Sequence, residues 1–578
     1  MLISAFAEVV SLGAVLPFIG ILTSPDKVLS YPVVAQLAQT WSITQADQLE
    51  LPITIVFVVA ALVAGVLRIL LLWLSVYLVA ACGSELSVDV YRRILYQPYH
   101  EHVARNSSEV ISSITNKVDS VVSGVILPLL ILISSVLLLI AIMGALLAIN
   151  PLVASVAALA FGISYGVLAW IARRRLHRNS QSIVIKETQR IKALQESLGG
   201  IRDVLLDGTQ QQYSDIYRHA DIPLRRTSAD NNFISHSPRY AIETIGIILI
   251  AGLAYAMTHQ VGGVNAALPL LGAMAIGAQR LLPALQQMYN GWASIAGSYS
   301  QLADIMEIAD QPLPTDLLQP TPLFFKDAIP ISAVSFRYTR DTPWILDGLT
   351  LNIPKGARVG FVGSTGAGKS TLLDLLMGLL IPTSGEILVD GEPVISPARH
   401  RAWQRSIAHV PQSIFLADAS LAENIALGVP EDMIDLDRVR HAARQAQIAD
   451  FIESSTEGYS AHVGERGISL SGGQRQRIGM ARALYKKADV LVFDEATSAL
   501  DTTTELAVMD AIAGLNRNLT ILIIAHRLTT LRDCDFIVEL EKGRVVRQDS
   551  YQNLLEASPN FRKSVQNGML SNKAFNEK

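Results

Sequence analysis

RVGFVGSTGAGKST, residues 358–371, is an apolar run, a glycine loop and the start of a helix. Its centre, 363–371, fits G-x-x-x-x-G-K-[ST] in full, after a strand-like run and before the helix-like TLLDLLMGLL. Glycines let backbone N–H groups close on phosphate oxygens, at a helix N-terminus whose dipole favours anions. The loop therefore predicts an ATP phosphate grip made of Gly363, Ser364, Thr365, Gly366, Ala367, Gly368, Lys369, Ser370 and Thr371. Lys369 would reach the β- and γ-phosphates, and the Ser370 hydroxyl would hold Mg²⁺.

Further along, VLVFDEATSALD (490–501) reads as a buried strand ending in two carboxylates. Asp494 is placed to bind Mg²⁺ through water, and Glu495 to polarise the attacking water as a general base. ILIIAHRL (521–528) is another buried strand, ending in His526. A lone histidine is usually structural, but this one ends a strand parallel to that of Asp494, where ligands sit in open α/β sheets. HVPQ (409–412) also follows a strand, so Gln412 is expected near Mg²⁺ and the water.

Upstream of about residue 310 the composition changes. The 578 residues are half hydrophobic and only 17% charged, below the usual share for a soluble protein. A net charge of −4 supplies no global field for nucleic acid. Two distant cysteines, Cys82 and Cys534, argue against a disulfide framework or a cysteine metal site, as expected of a cytoplasmic soluble part.

Six stretches are long and apolar enough to cross a bilayer: about 1–23, 52–82, 121–149, 151–172, 241–259 and 265–287. The first lacks a basic leader and carries Glu8, so it reads as a span and not a signal peptide. The polar connections 83–120 and 173–240 are long, and the second opens with RRRLHR, which assigns both to the cytoplasm. In the outer loop 24–50, apolar residues at helical spacing over 29–42 suggest an interfacial helix. The proline-rich stretch 311–328 reads as a linker. The expected domains are a transmembrane domain, 1–310, and an α/β nucleotide-binding domain, 329–578.

Glu8, Arg68 and Arg280 fall inside expected spans, where ionisable groups are costly and face a partner or a cavity. Glu8 and Arg68 suit a structural pair, and the long side chains could instead snorkel. The arginines also suit an anionic substrate group, because guanidinium matches phosphate geometry.

LSGGQRQR (470–477) adds a second glycine-bearing grip far from the first. With the P-loop, the glutamine loop, DEATSALD and the terminal histidine, it resembles the ABC ATPases. In that family LSGGQ grips the γ-phosphate of ATP bound to a second ATPase domain. The resemblance implies that Ser471, Gly472, Gly473 and Gln474 serve a partner chain. Because no motif is degraded, that partner is expected to be a second copy in a homodimer, with a related chain as the alternative. It also implies that Tyr338 stacks on adenine, that Asp501 belongs to the loop crossing the dimer interface, and that VGERG (463–467) touches coupling helices, expected near 107–116 and 208–216.

Six spans ahead of one ATPase domain resemble an ABC exporter half-transporter of the type IV fold. The outer loop, SPRYAIETIGI (237–247) and AQRLLPALQQ (278–287) look most like the PglK-type lipid-linked oligosaccharide flippases. That likeness implies a polyprenyl-pyrophosphate glycan moved outward across a bacterial cytoplasmic membrane, with Arg68 and Arg280 at the pyrophosphate. It also leads to the expectation of a cytoplasmic stretch ahead of the first span. The alternatives are an exporter of lipid A-like lipid, peptide or drug, and an ATP-gated regulator or channel. Six apolar spans exclude a soluble ATPase acting on nucleic acid.

Overall fold

The computed structural model describes residues 1–23, 50–149, 151–258, 281–313, 322–394, 397–464, 467–495, 505, 507, 512, 514, 518–525, 528–559, 561–563 and 565. Outside the described residues lie the outer-loop helix expected at 29–42, Arg280 with most of the sixth expected span, Asp501 and His526. The chain divides into two compact units, Met1–Gln97 with Ala104–Leu313, and Pro98–Val103 with Pro314–Lys578.

The first unit is helical. It contains α1 (Leu2–Thr23), α2 (Glu50–Leu95), a continuous helical run α4 (107–149), α5 (Pro151–Gly199), α6 (Ile201–Leu206), α7 (Gln210–His236) and α8 (Pro238–Thr258). Residues 281–297 form α9, and α10 is Tyr299–Ala309. Among the described residues, three helices are long and apolar enough to cross a membrane: Glu50–Leu95, Ser107–Leu147 and Ala154–Gly199. At 1.5 Å per residue the 46-residue α2 extends roughly 70 Å, more than twice the hydrocarbon thickness. Its polar end, like that of α5, is the same helix carried past the apolar stretch. The long polar connections are thus largely extended helix.

A short helix lies just ahead of each region expected to hold a coupling helix. Residues 107–116 open α4, and the short separate helix is α3 (Tyr99–Ala104), whose residues 99–103 fall in the second unit. Likewise 208–216 covers a turn and the first residues of α7, behind the six-residue α6. Each short helix has only six residues, so the sequence signal was weak.

α4 contains two π-helical turns, Ser113–Lys117 and Val122–Ile126. A π-turn releases a carbonyl from the regular ladder, and Ser294 Oγ donates to Gly124 O at 3.1 Å. The packing here is close, because a Cβ at Gly124 would lie 2.3 Å from Ser298 Oγ and force that hydroxyl to move. One turn earlier, Lys117, almost wholly buried, pairs with Asp304 at 2.6 Å. The core of this unit gathers Phe161, Tyr165, Leu176, Ile242, Leu285 and Tyr289.

The second unit carries two sheets. β1 (Ala328–Phe336), β2 (Leu346–Pro354), β4 (Ser384–Val389) and β5 (Glu392–Pro393) form an antiparallel sheet in the order β2-β1-β4-β5. β3 (Arg358–Val362), β6 (Ile407–Val410), β7 (Val490–Asp494), β8 (Thr520–Ile524), β9 (Phe536–Glu541) and β10 (Arg544–Asp549) form the other, in the order β10-β9-β3-β8-β7-β6. All its pairings are parallel except β9 with β10. β8 is buried at every position, as expected of a parallel strand covered on both faces. The loops after β3, β6 and β7 therefore leave one edge of the sheet together.

The expected linker is shorter than 311–328. Phe325 is fully buried edge-on to Trp403, with ring centroids 5.9 Å apart. The Ser406 hydroxyl donates to Leu323 O at 2.7 Å. Residues 322–327 thus belong to the ATPase core, although Pro322 and the prolines ahead of it read as linker.

Candidate ATP site

The P-loop connects β3 to α11 (Lys369–Leu376). Gly363, Gly366 and Gly368 have φ of +151°, +82° and +97°. A Cβ at Gly363 would lie 2.3 Å from Leu540 O, and one at Gly368 2.7 Å from Leu346 Cδ2. Conformation and space therefore both demand glycine at these positions.

Around this loop is a cavity of about 1080 Å³. It is lined by Gly363, Ser364, Thr365, Gly366, Gly368, Lys369, Ser370 and Thr371 of the loop, by Gln412 after β6, and by Glu495 after β7. Stretches far apart in sequence thus meet on one cavity, and Phe561 and Lys563 near the end of the chain line it too. Sequence reading missed these two, and no motif marks them.

The polar groups satisfy one another. Lys369 Nζ donates to Gly363 O at 2.8 Å and to Ser364 O at 3.0 Å, so the lysine closes its own loop. Burial lowers the Lys369 pKa, and the Glu495 and Asp494 carboxylates oppose that shift. Gln412 Nε2 donates to Glu495 Oε2 at 2.6 Å. Glu495 itself has φ +51°, an uncommon conformation for a residue with a side chain. Asp494 is raised above the ordinary carboxylate range by burial and then by Glu495, with Lys369 working against it. Two adjacent carboxylates, one partly desolvated beside the Ser370-bearing helix, form a place that a divalent cation would neutralise. This donor set fits Mg²⁺ held by Ser370, Asp494 and Gln412 together with phosphate oxygens.

Asp374 is a further charged residue that the motifs did not reveal. It lies four positions after Ser370 and so on the same face of α11. Burial, and then Asp494, push its carboxyl up to about 6. A raised folded-state pKa favours the protonated form. Its contribution to stability is present below the unfolded value near 3.8 and lost as pH rises through about 6. Asp374→Asn should therefore raise the melting temperature at pH 8, with a gain shrinking toward pH 4. Since the group is partly solvated, the effect is set at about 1 kcal/mol. A gain that is the same at both pH values would contradict the assignment.

LSGGQ lies apart from this cavity. Ser471 caps the helix Gly472–Tyr485 in a reciprocal box: Gln474 N donates to Ser471 Oγ at 3.2 Å, and Ser471 N to Gln474 Oε1 at 2.8 Å. Gly472 and Gly473 form the first turn, whose N–H groups have no earlier helical carbonyls to bond. None of these four residues lines the P-loop cavity. Tyr338 is half-exposed just past β1, held edge-on to Phe336 with centroids 5.2 Å apart, and is also not among the lining residues. In the first unit, Arg68 Nη1 lies 3.8 Å from Glu8 Oε1, which makes the structural pair.

A P-loop ATPase unit on the same chain as membrane-length helices defines an ATP-driven membrane transporter. Comparison with known proteins agrees in both halves: the ABC transporter family matches residues 346–498, and the ABC transporter transmembrane region matches 11–267. An ATP-dependent lipid A-core flippase from Alkalilimnicola ehrlichii is 32% identical over 402 residues, 68% of this chain and 67% of that protein. A fatty acid ABC transporter ATP-binding/permease protein from Mycobacterium tuberculosis is 30% identical over 82% of this chain and 74% of its own length. The leukotoxin translocation ATP-binding protein of Mannheimia haemolytica is 39% identical, but over only 47% of this chain and 38% of its own length. Among solved structures, a bacterial Atm1-family ABC exporter with ATP bound superposes with a TM-score of 0.79 and 26% identity over 96% of both chains. The chain belongs to the ABC transporter family. It is an exporter of the bacterial cytoplasmic membrane that couples ATP hydrolysis to transport.

Proposed function

We propose that the protein is a flippase that carries a lipid-linked oligosaccharide across the cytoplasmic membrane by alternating access. The observation that carries the reading is the likeness to a lipid A-core flippase over both halves of the chain, joined by that to a fatty acid transporter. Both names denote amphipathic lipid cargo. The PglK-like stretches in the sequence refine that cargo to a polyprenyl-pyrophosphate glycan. A lipid A-like lipid is the second reading, favoured by the name of the first relative.

Two copies act together. Each P-loop cavity leaves its ATP open to the Ser471–Gly473 turn of the other copy, with Asp501 in the crossing loop. Tyr338 stacks on adenine, Lys369 holds the β- and γ-phosphates, and Ser370, Asp494 and Gln412 hold Mg²⁺, which neutralises phosphate charge when bound. Glu495 accepts the proton of the attacking water, and His526 stands by the γ-phosphate. Six spans form each half of the transport path. ATP favours the closed pair of ATPase domains, hydrolysis removes that preference, and the path changes its exposure. Arg68 and Arg280 meet the pyrophosphate, so Arg68 must exchange Glu8 for the cargo.

Stimulation of ATPase activity in nanodiscs tests the cargo. A polyprenyl-pyrophosphate oligosaccharide should raise turnover, and a lipid A-like lipid should not. The reverse order would favour the second reading. Separately, Tyr338→Ala should raise the KM for ATP about tenfold, consistent with loss of one stacking contact, while leaving kcat. An unchanged KM would assign adenine to another group.

A further inference from the structure

The first unit holds a second cavity, of about 560 Å³, within the range of small-ligand pockets, about 300–1,000 Å³. It lies among α4, α5, α7, α9 and α10, on the polar extensions of α5 and α7. Its lining includes Glu187, Arg190, Arg225, Asn232, Ser235 and Ser298. Gly297 keeps the space open, since a Cβ there would lie 3.1 Å from Asn231 Nδ2.

The charges cancel. Arg225 Nε bonds Asp221 Oδ2 at 2.6 Å, and Arg190 Nη1 lies 3.6 Å from Asp221 Oδ1 and Arg190 Nη2 3.9 Å from Glu187 Oε1. Two guanidinium groups thus face two carboxylates, leaving no net charge for an anion or a cation to seek. One acceptor of the lining remains unmet, because Glu187 Oε2 is buried without a hydrogen bond. Such an atom calls for a donor. A neutral ligand rich in hydroxyl groups supplies donors without upsetting the charge balance.

Position adds a second constraint. Glu187 is fifteen residues beyond Ala172, the end of the apolar stretch in α5, or about 22 Å along the helix. Ser235 lies six residues before the fifth expected span, or about 9 Å. The cavity therefore sits at cytoplasmic depth, and a headgroup tethered in the membrane reaches its far end only if the headgroup is long.

We propose that this cavity is a carbohydrate-headgroup site, selecting neutral, hydroxyl-rich chains long enough to reach Glu187 before transport. The proposal rests on the lipid-linked glycan reading for its cargo, but not for its chemistry. The full chain with Cys82→Ser, Cys534→Ser and Ser235→Cys is to be labelled with a maleimide in nanodiscs. Excess free maltohexaose should slow labelling, and Glu187→Gln should remove the protection; if that variant fails to fold, Asn232→Ala serves. Labelling unaffected by the sugar would overturn the site. In parallel, ATPase stimulation is to be compared for maltohexaosyl polyprenyl pyrophosphate and for polyprenyl pyrophosphate without sugar. Glu187→Gln should raise the half-maximal concentration of the first about tenfold and leave the second unmoved. Equal shifts for both lipids would overturn headgroup selection. Protection by the free sugar without any response to either lipid would keep the site and remove the lipid-linked glycan reading.

Discussion

Glu495→Gln should lower ATP turnover by about 10²–10⁴-fold while ATP still binds. The substitution keeps shape and removes the basic oxygen. It also alters the partner of Gln412, whose Nε2 now donates to Glu495 Oε2 at 2.6 Å. An amide facing an amide can still form one hydrogen bond, so the loop after β6 need not move. The variant should therefore accumulate the closed, ATP-bound pair of ATPase domains, seen as nucleotide retained after desalting. Turnover near that of the unaltered protein would remove Glu495 from the role of base, and attention would pass to His526.

The second large effect is expected at Gly363. Its φ of +151° and the 2.3 Å approach of a Cβ to Leu540 O leave no room for a methyl group. Because the obstacle is backbone of β9, the loop itself must shift. Gly363→Ala should cost about 2–4 kcal/mol in stability. With the loop moved, nucleotide affinity should fall at least about tenfold. Gly366 gives the comparison, since it has φ +82° but nothing within 4 Å of an added Cβ. Gly366→Ala should cost only conformational strain, about 1–2 kcal/mol. Titration with a fluorescent ATP analogue and thermal melts separate the two. Equal losses would mean that conformation alone, without the Leu540 carbonyl, sets the requirement at Gly363.

Much of the candidate site's lining was legible because the signals for it are local. The P-loop, the Asp494–Glu495 pair and Gln412 each follow a short apolar strand, and parallel pairing of β3, β6, β7 and β8 delivers them to one edge. What escaped is tertiary. Phe561 and Lys563 reach the cavity from the far end of the chain, and Asp374 shows itself only when the face shared with Ser370 is drawn. Phe325 was read as linker because prolines surround it, although it is core. The polar cavity of the first unit draws on residues from 120 to 301, with no spacing to betray it. The Glu8–Arg68 pair was open to reading because charges inside apolar stretches are few enough to match by hand.

A lipid-linked oligosaccharide flippase must move its cargo, and movement can be followed directly. Proteoliposomes holding the full chain are loaded with a fluorescent polyprenyl-pyrophosphate oligosaccharide, and its accessibility to an external quencher is followed with and without ATP. Movement should depend on ATP and be abolished by Glu495→Gln. ATP hydrolysis without any movement of this lipid would contradict the flippase reading.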